Sequence, residues 1–189
     1  MFEKTIKIPL DRVGALIGKS GKTKTQIEKK CCTKLKINSE TGIVLIKSFN
    51  STDQTQTIFR SVAIITAIGR GFSPSNAMDL LDDEKSLQII ELKNLTCRSR
   101  SKILRIKSRI IGENGKVRRN IERLSNTKIS VYGKTVSIIG NHQNIKLVTD
   151  TIISLSKGSM HNTIYKKLEV AKKYEKLDKL KLWEEKHDL

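Results

Sequence analysis

Residues 17–22 read IGKSGK and residues 111–116 read IGENGK, 94 positions apart. Laying the sequence over itself at that offset aligns LIGKSGKTKTQIEKKCCTKLKIN (16–38) with IIGENGKVRRNIERLSNTKISVY (110–132) without a gap. Eight of the 23 pairs are identical: Ile17/Ile111, Gly18/Gly112, Gly21/Gly115, Lys22/Lys116, Ile27/Ile121, Glu28/Glu122, Thr33/Thr127 and Lys34/Lys128. A solenoid needs three or more copies to bury a continuous core. Two copies in 189 residues therefore predict two small domains of one design.

The copies share a local grammar. TIKIP (5–9) alternates apolar and polar residues as a half-buried strand does, and VGALI (13–17) predicts a short helix ending at Gly18. KTKTQIEKK after Gly21 is a polar helix with Ile27 on a narrow buried stripe. KLKIN (34–38), the turn SETG and IVLI (43–46) predict a hairpin whose second strand is buried. A helix from Ser51 to Ile68 carries Ile58, Val62, Ile65 and Ile68 on one face. The order is β-α-α-β-β-α. In the second copy the strand LQIIEL (87–92) precedes the glycines, and the helix KVRRNIERL (116–124) follows them. KISVY (128–132) and TVSII (135–139) then pair around Gly133-Lys134, before a helix capped by Asn141 or Asn144. Ser73-Pro74 opens a short connector helix, and a long charged helix runs from about Asn162 to Lys186. The expected domains are 1–70, an acidic helical linker at 71–85, a second domain at 86–158 and a C-terminal helix at 159–189.

Charge narrows the function. The formal net charge is +18, and it is unevenly spread: +8 over residues 1–70, −3 over 71–97, +11 over 98–159 and +2 over 160–189. Two basic blocks flank an acidic connector, and each attracts a polyanion irrespective of sequence. Aromatic residues make up only 4%, so base stacking on rings is not the main device; backbone clamping and aliphatic contacts are expected instead. No apolar run has membrane-spanning length, and MFEKTIKIPL holds no stretch of signal-peptide length, so the expected compartment is the cytoplasm. Cys31, Cys32 and Cys97 form neither a disulfide framework nor a C-x-x-C zinc pair; reduced, partly buried thiols are expected.

The chemistry rests on the glycine loop. Two apolar residues precede the first glycine, Lys follows the second, and Ile-Glu follows six and seven residues after it. Glycine permits unusual dihedrals and the close approach of another group. The helix that opens at the second glycine presents unpaired N–H groups and the positive end of its dipole to a phosphate. Ile17, Ile27, Leu35 and Ile37 in the first copy, and Ile111, Ile121, Ile129 and Val131 in the second, could floor a groove for bases or simply pack the cores. IGKSGKT is not a nucleotide-binding P-loop, since only two residues separate Gly18 from Gly21.

This pattern resembles the type I KH domain, an α+β fold whose loop clamps about four nucleotides of single-stranded nucleic acid. The likeness covers residues 3–70 and 86–158 as tandem KH domains. AIGRGFSPSNAMDLL (67–81), SVYGKTVSIIG (130–140) and HNTIYKKLE (161–169) are similar to the archaeal two-KH proteins related to the eukaryotic small-subunit assembly factor called partner of Nob. The resemblance implies binding of single-stranded RNA near the 3′ end of small-subunit ribosomal RNA, with the Nob endonuclease or the alpha subunit of translation initiation factor two as protein partners. It places RNA contacts on Gly18, Lys19, Ser20 and Gly21, with Lys22 and Lys24 following. In the second copy they fall on Gly112, Glu113, Asn114 and Gly115, with Arg109, Lys116, Arg118 and Arg119 around them. Glu113 is an acid where a phosphate approaches, so it either points away or pairs with an arginine; Arg123 adds to the cations that outnumber it. The second copy is expected to bind more tightly, because its block is more basic and Arg forks to phosphate better than Lys.

No catalytic residue, metal site or cofactor is expected. His142, His161 and His187 are scattered, with His161 placed to support the start of the last helix, and Asp79, Asp82, Asp83 and Glu84 read as an exposed acidic face rather than a magnesium site. The alternative to an RNA binder is an interaction scaffold for an endonuclease or an initiation factor, with RNA contact secondary. For an RNA binder, affinity for unpaired RNA falls with salt at a log–log slope of about −0.7 per phosphate neutralised. A flat titration between low and moderate salt would count against it.

Overall fold

The computed structural model describes residues 3–48, 54–95 and 99–187, without the side chains of residues 54, 175 and 178–187. Ser51 and Cys97 lie outside the described residues, as do the side chains of Leu180, Leu182 and Trp183. The first repeat runs β1 (Glu3–Lys7), α1 (Leu10–Ile17), α2 (Lys22–Lys30), β2 (Thr33–Ile37), β3 (Ile43–Ser48) and α3 (Gln54–Gly69). The short helix α4 (Pro74–Ala77) follows. The second repeat runs β4 (Lys85–Glu91), α5 (Leu92–Leu95), α6 (Arg100–Ile111), α7 (Lys116–Ser125), β5 (Lys128–Tyr132), β6 (Thr135–Asn141) and α8 (His142–Ser156), and α9 (His161–His187) ends the described chain. Among the described residues there are two three-stranded sheets, ordered β1-β3-β2 and β4-β6-β5. Each repeat thus has the order β-α-α-β-β-α, with the turn α5 added to the second: two type I KH folds of mixed α and β structure.

By contacts the chain forms two compact units, residues 1–90 with 128–142, and residues 91–127 with 143–189. In the first unit β3 is the central strand, antiparallel to β1 and β2, with Thr5 opposite Leu45 and Leu35 opposite Ile46. Its core gathers Leu16, Ile27, Leu35, Val44, Ile46, Ile58 and Ile65. β3 is less buried than its apolar run suggests: Val44 and Ile46 are enclosed, while Ile43 is 41% exposed. Helices cover one face of the strand, so alternate side chains turn outward. α3 buries a wider stripe than expected, with Ile64 and Ala67 added to Ile58, Ile65 and Ile68 and only Val62 half-buried, because it meets α1 and α4 as well as the sheet.

Two polar devices hold the edges. The Leu35 N–H, on edge strand β2, donates to Glu28 Oε1 of α2 at 2.8 Å. Arg12 of α1 donates through Nε to the Ile68 carbonyl at 2.9 Å and through Nη2 to that of Phe72 at 2.6 Å. It thereby caps the C-terminal end of α3, where the unpaired carbonyls and the negative end of the dipole lie. The same guanidinium lies 6.0 Å from the ring centre of Tyr132 on β5, whose hydroxyl donates to Asp11. Ser130 Oγ donates to the Arg70 carbonyl at 2.9 Å. Gly71 has φ +96°, and a Cβ there would stand 2.8 Å from Ser130 Oγ and Tyr132 Cβ, so glycine lets β5 close on this corner.

The second unit is helical. Ile103, Ile106 and Ile110 of α6, Ile121 of α7, Ile145, Val148, Ile152 and Leu155 of α8, and Ile164 and Leu168 of α9 are buried. α9 packs along α7, with Lys172 Nζ on the Arg123 carbonyl at 3.0 Å, while Val170 and Leu177 are half exposed. His161 opens α9 as expected, its Nε2 donating to the Arg109 carbonyl at 3.1 Å. The predicted strand 87–92 begins two residues earlier and stops at Glu91, because Leu92 turns into α5 and is fully buried. Ser73 caps α4 by accepting from the Asn76 N–H at 3.3 Å, with Pro74 first in the helix.

Cys31 is buried and Cys32 exposed. Burial pushes the Cys31 thiol pKa up, only partly countered by its hydrogen bond with Ser61 and by the nearby Arg60 charge. A raised pKa means less thiolate at pH 8, and the thiolate is the nucleophile. Iodoacetamide at pH 8 therefore labels Cys32 while Cys31 stays unmodified until the protein is unfolded; peptide mapping that finds both equally labelled in the native state overturns the packing at this corner.

Candidate nucleic-acid interface

The two glycine loops are near copies. α1 closes with the Gly18 N–H on the Gly14 carbonyl at 2.8 Å, and α6 with the Gly112 N–H on that of Ser108 at 2.8 Å. Gly18 then takes φ 73°, ψ 175° and Gly112 φ 70°, ψ 178°. A single 3-10 turn follows, Lys19–Gly21 or Glu113–Gly115, with Ser20 at φ 52° and Asn114 at φ 48°. Gly21 and Gly115, at φ 75° and 74°, lead into α2 and α7. Three positive-φ positions within four residues carry the chain from one helix into the next.

The glycines do different work. A Cβ on Gly18 would sit 2.2 Å from Thr23 Oγ1 and 2.9 Å from its backbone nitrogen; on Gly112 it would sit 2.3 Å from Val117 Cγ2. The first glycine is thus required by the closeness of the following helix. Around Gly21 a Cβ would meet nothing within 4 Å, and at Gly115 only the tip of the Arg119 side chain at 3.4 Å. The second glycine supplies the left-handed dihedral and leaves open space before the helix. Neither α2 nor α7 has a side-chain cap at its N-terminus, so the first-turn amides and the positive dipole end remain for a ligand anion.

Lys19, Ser20 and Lys22 are exposed and Lys24 is half-buried on the first turn of α2. In the second copy Glu113, Asn114, Lys116 and Arg119 are exposed. Glu113 points to solvent with no ion pair among the described residues. Two residues placed at the loop by sequence also approach other groups. Arg109 is half-buried and donates through Nη2 to the Ser159 carbonyl at 2.5 Å. Arg118 lies along its own helix, Nε 3.9 Å from Glu122 Oε2. Of the expected floors, Ile27, Leu35, Ile121 and Ile129 belong to the cores. Ile17, Ile37, Ile111 and Val131 are half-buried and keep an open edge.

Among the described residues no cluster of three or more His, Cys, Asp or Glu that could hold a metal is present. Asp83 pairs with Arg60 and Asp82 with Lys85. Sequence reading missed the Arg12 cap and the Glu28 bond to Leu35. The second had a signal, since Glu28/Glu122 is one of the eight identities between the repeats.

Two amide-lined loops of one geometry, each in a β-α-α-β-β-α fold, define a tandem KH-domain protein. A KH domain model matches residues 3–58, and a model for the second domain of PNO1, a eukaryotic type KH-domain (KH-domain type I), matches 86–173. The KH domain-containing protein MJ0443 of Methanocaldococcus jannaschii is 39% identical over 97% of this chain and 80% of its own length. The pre-rRNA-processing protein pno1 of Schizosaccharomyces pombe is 25% identical over 72% of this chain and 57% of its own. The crystal structure of the a/eIF2alpha-aDim2p-rRNA complex from Pyrococcus horikoshii OT3 holds a chain with TM-score 0.84 and 44% identity, covering 91% of this chain and 94% of that one. The chain belongs to the PNO1/Dim2 family of KH-domain RNA-binding proteins, several of whose eukaryotic members are named for pre-rRNA processing.

The loop geometry separates folding from binding. Asn114→Asp keeps a residue that tolerates the left-handed conformation at an exposed site, so thermal stability is unchanged. A second carboxylate beside Glu113 lowers affinity for unpaired RNA at least about tenfold, roughly 1.4 kcal/mol. Gly112→Ala lowers both stability and affinity, because a Cβ that overlaps Val117 costs about 1–3 kcal/mol of backbone strain and displaces the loop amides. Calorimetry with fluorescence anisotropy reads both, and unchanged affinity in Asn114→Asp moves the RNA site away from this loop.

Proposed function

We propose that this protein is a non-catalytic, cytoplasmic RNA-binding factor that grips the 3′ region of small-subunit (16S) ribosomal RNA during ribosome assembly or pre-rRNA processing. The observation that carries the reading is the pair of loops with matching dihedrals, each opening a helix with no side-chain cap, in a chain of net charge +18. The loop amides and Lys22 or Lys116 neutralise successive phosphates, and the half-buried aliphatic edges meet the bases. The repeats 1–70 and 86–158 act as two modules on one strand. The second is the tighter one, since it sets Lys116 and Arg119 at its loop and lies in the more basic block. Relatedness to a chain crystallised with ribosomal RNA supports the target class. Among the described residues no helix is long and apolar enough to cross a membrane.

That same complex contains a/eIF2alpha, which favours a second reading: a scaffold for the alpha subunit of translation initiation factor two or a Nob-type endonuclease, with RNA secondary. Crosslinking in cells followed by sequencing of the attached RNA, beside a pulldown from nuclease-treated extract, separates the two. The RNA reading expects reads concentrated at the 3′ end of the small-subunit RNA and protein partners that depart with it. Partners retained in full after nuclease, with reads scattered over the transcriptome, favour the scaffold.

A further inference from the structure

The second unit holds a cationic cavity that the loops do not use. α6 reads RSKILRIKSRII, five basic residues and no acid in twelve. Ile103, Ile106 and Ile110 form its buried stripe. Lys102, Arg105 and Arg109, spaced i, i+3 and i+7, share another face. With Lys157, at the end of α8, they wall a cavity of about 300 Å³ whose apolar lining includes Leu95 and Ile106. Among the described residues no carboxylate lines it and none of the four cations forms an ion pair. Arg105 and Arg109 repel at i, i+4 spacing. Arg109 is fixed rather than free, because its guanidinium is anchored on the Ser159 carbonyl just after Gly158, at φ +102°, turns the chain out of α8. Unbalanced charge of one sign around a partly enclosed space focuses its field on an anion.

We propose that this cavity binds a phosphodiester of the RNA strand a few nucleotides beyond those held at the Gly112 loop, an inference that rests on the reading of the loops as RNA clamps. The space equals roughly ten water volumes, which accommodates a nucleotide rather than a lone ion, and the Leu95 and Ile106 side chains suit a ribose or a base face. Arg109 is one helical turn before Gly112, and Lys102 is ten residues before it, about 15 Å along the axis. A KH clamp holds about four nucleotides, so a tetranucleotide fills the loop alone and a longer strand reaches both. Arg109, assigned to the loop by its sequence position, belongs instead to this extension.

The test uses the full chain and fluorescein-labelled RNA pools of randomised sequence, 4 and 12 nucleotides long. The double variant Lys102→Glu/Arg105→Glu is compared with Lys166→Glu/Lys167→Glu, an equal charge change on the exposed side of α9. The expected result for the first pair is at least a tenfold loss on the 12-mer and less than a twofold change on the 4-mer. The 12-mer salt slope should be shallower by about 1.4, the value for two phosphates, and the α9 pair should leave both affinities within about threefold. Equal losses on both lengths, no loss on the 12-mer, or a matching loss in the α9 pair overturns the cavity site while leaving the loops intact. Wild-type protein that binds neither pool overturns the loop reading itself, and the cavity site with it.

Discussion

The structure depends on one close approach: a glycine with no side chain lying against the helix that begins four residues later. At Gly18 the obstacle is Thr23, at Gly112 it is Val117, and in both a methyl group would overlap its neighbour by more than an ångström. That contact turns the first helix sharply into the second and leaves the second without a side-chain cap. The unpaired amides that result would be a defect in a helix made only for stability. Here they face open space beside Lys22 or Lys116, and the dipole of each helix adds a positive charge that no side chain titrates. Binding capacity is therefore a consequence of backbone shape first and of basic residues second.

Around this constraint the remaining polar contacts close the ends that the fold exposes. Glu28 covers an N–H on the edge strand β2, and Arg12 covers the last carbonyls of α3. Arg109 does the same for the turn between α8 and α9. Each uses a charged group on a neutral backbone partner, a stronger class of hydrogen bond than a neutral pair. The connector acids likewise meet nearby bases, Asp83 on Arg60 and Asp82 on Lys85. An excess of positive charge remains on α2, α6 and α7, where the loops and the cavity lie.

Several elements were legible without coordinates because their physics is local. The 94-residue repeat announced two copies of one fold, and period-2 and period-3.6 patterns placed the strands and helices to within a few residues. The Gly133-Lys134 turn and the Ser73-Pro74 start were set by turn and cap chemistry. Legibility failed where a residue's partner is distant in sequence. Arg109 shares the charge and neighbourhood of the loop residues, yet it bonds to Ser159, 50 positions on. Leu92 reads as the end of a strand, but the chain turns there into α5.

By itself, the sequence determined the tandem β-α-α-β-β-α design, the left-handed glycine loops and the basic character of their surroundings, since dihedral freedom, hydrophobic period and charge are properties of neighbouring residues. Only the tertiary structure decided which cations face solvent at a loop, which are tied to carbonyls, and which gather around a separate cavity. It also brought Tyr132 to Asp11 across 121 positions and grouped β5 and β6 with the first repeat. Those outcomes follow from packing between segments far apart in the chain, where many sequences share one pattern and burial selects the partner.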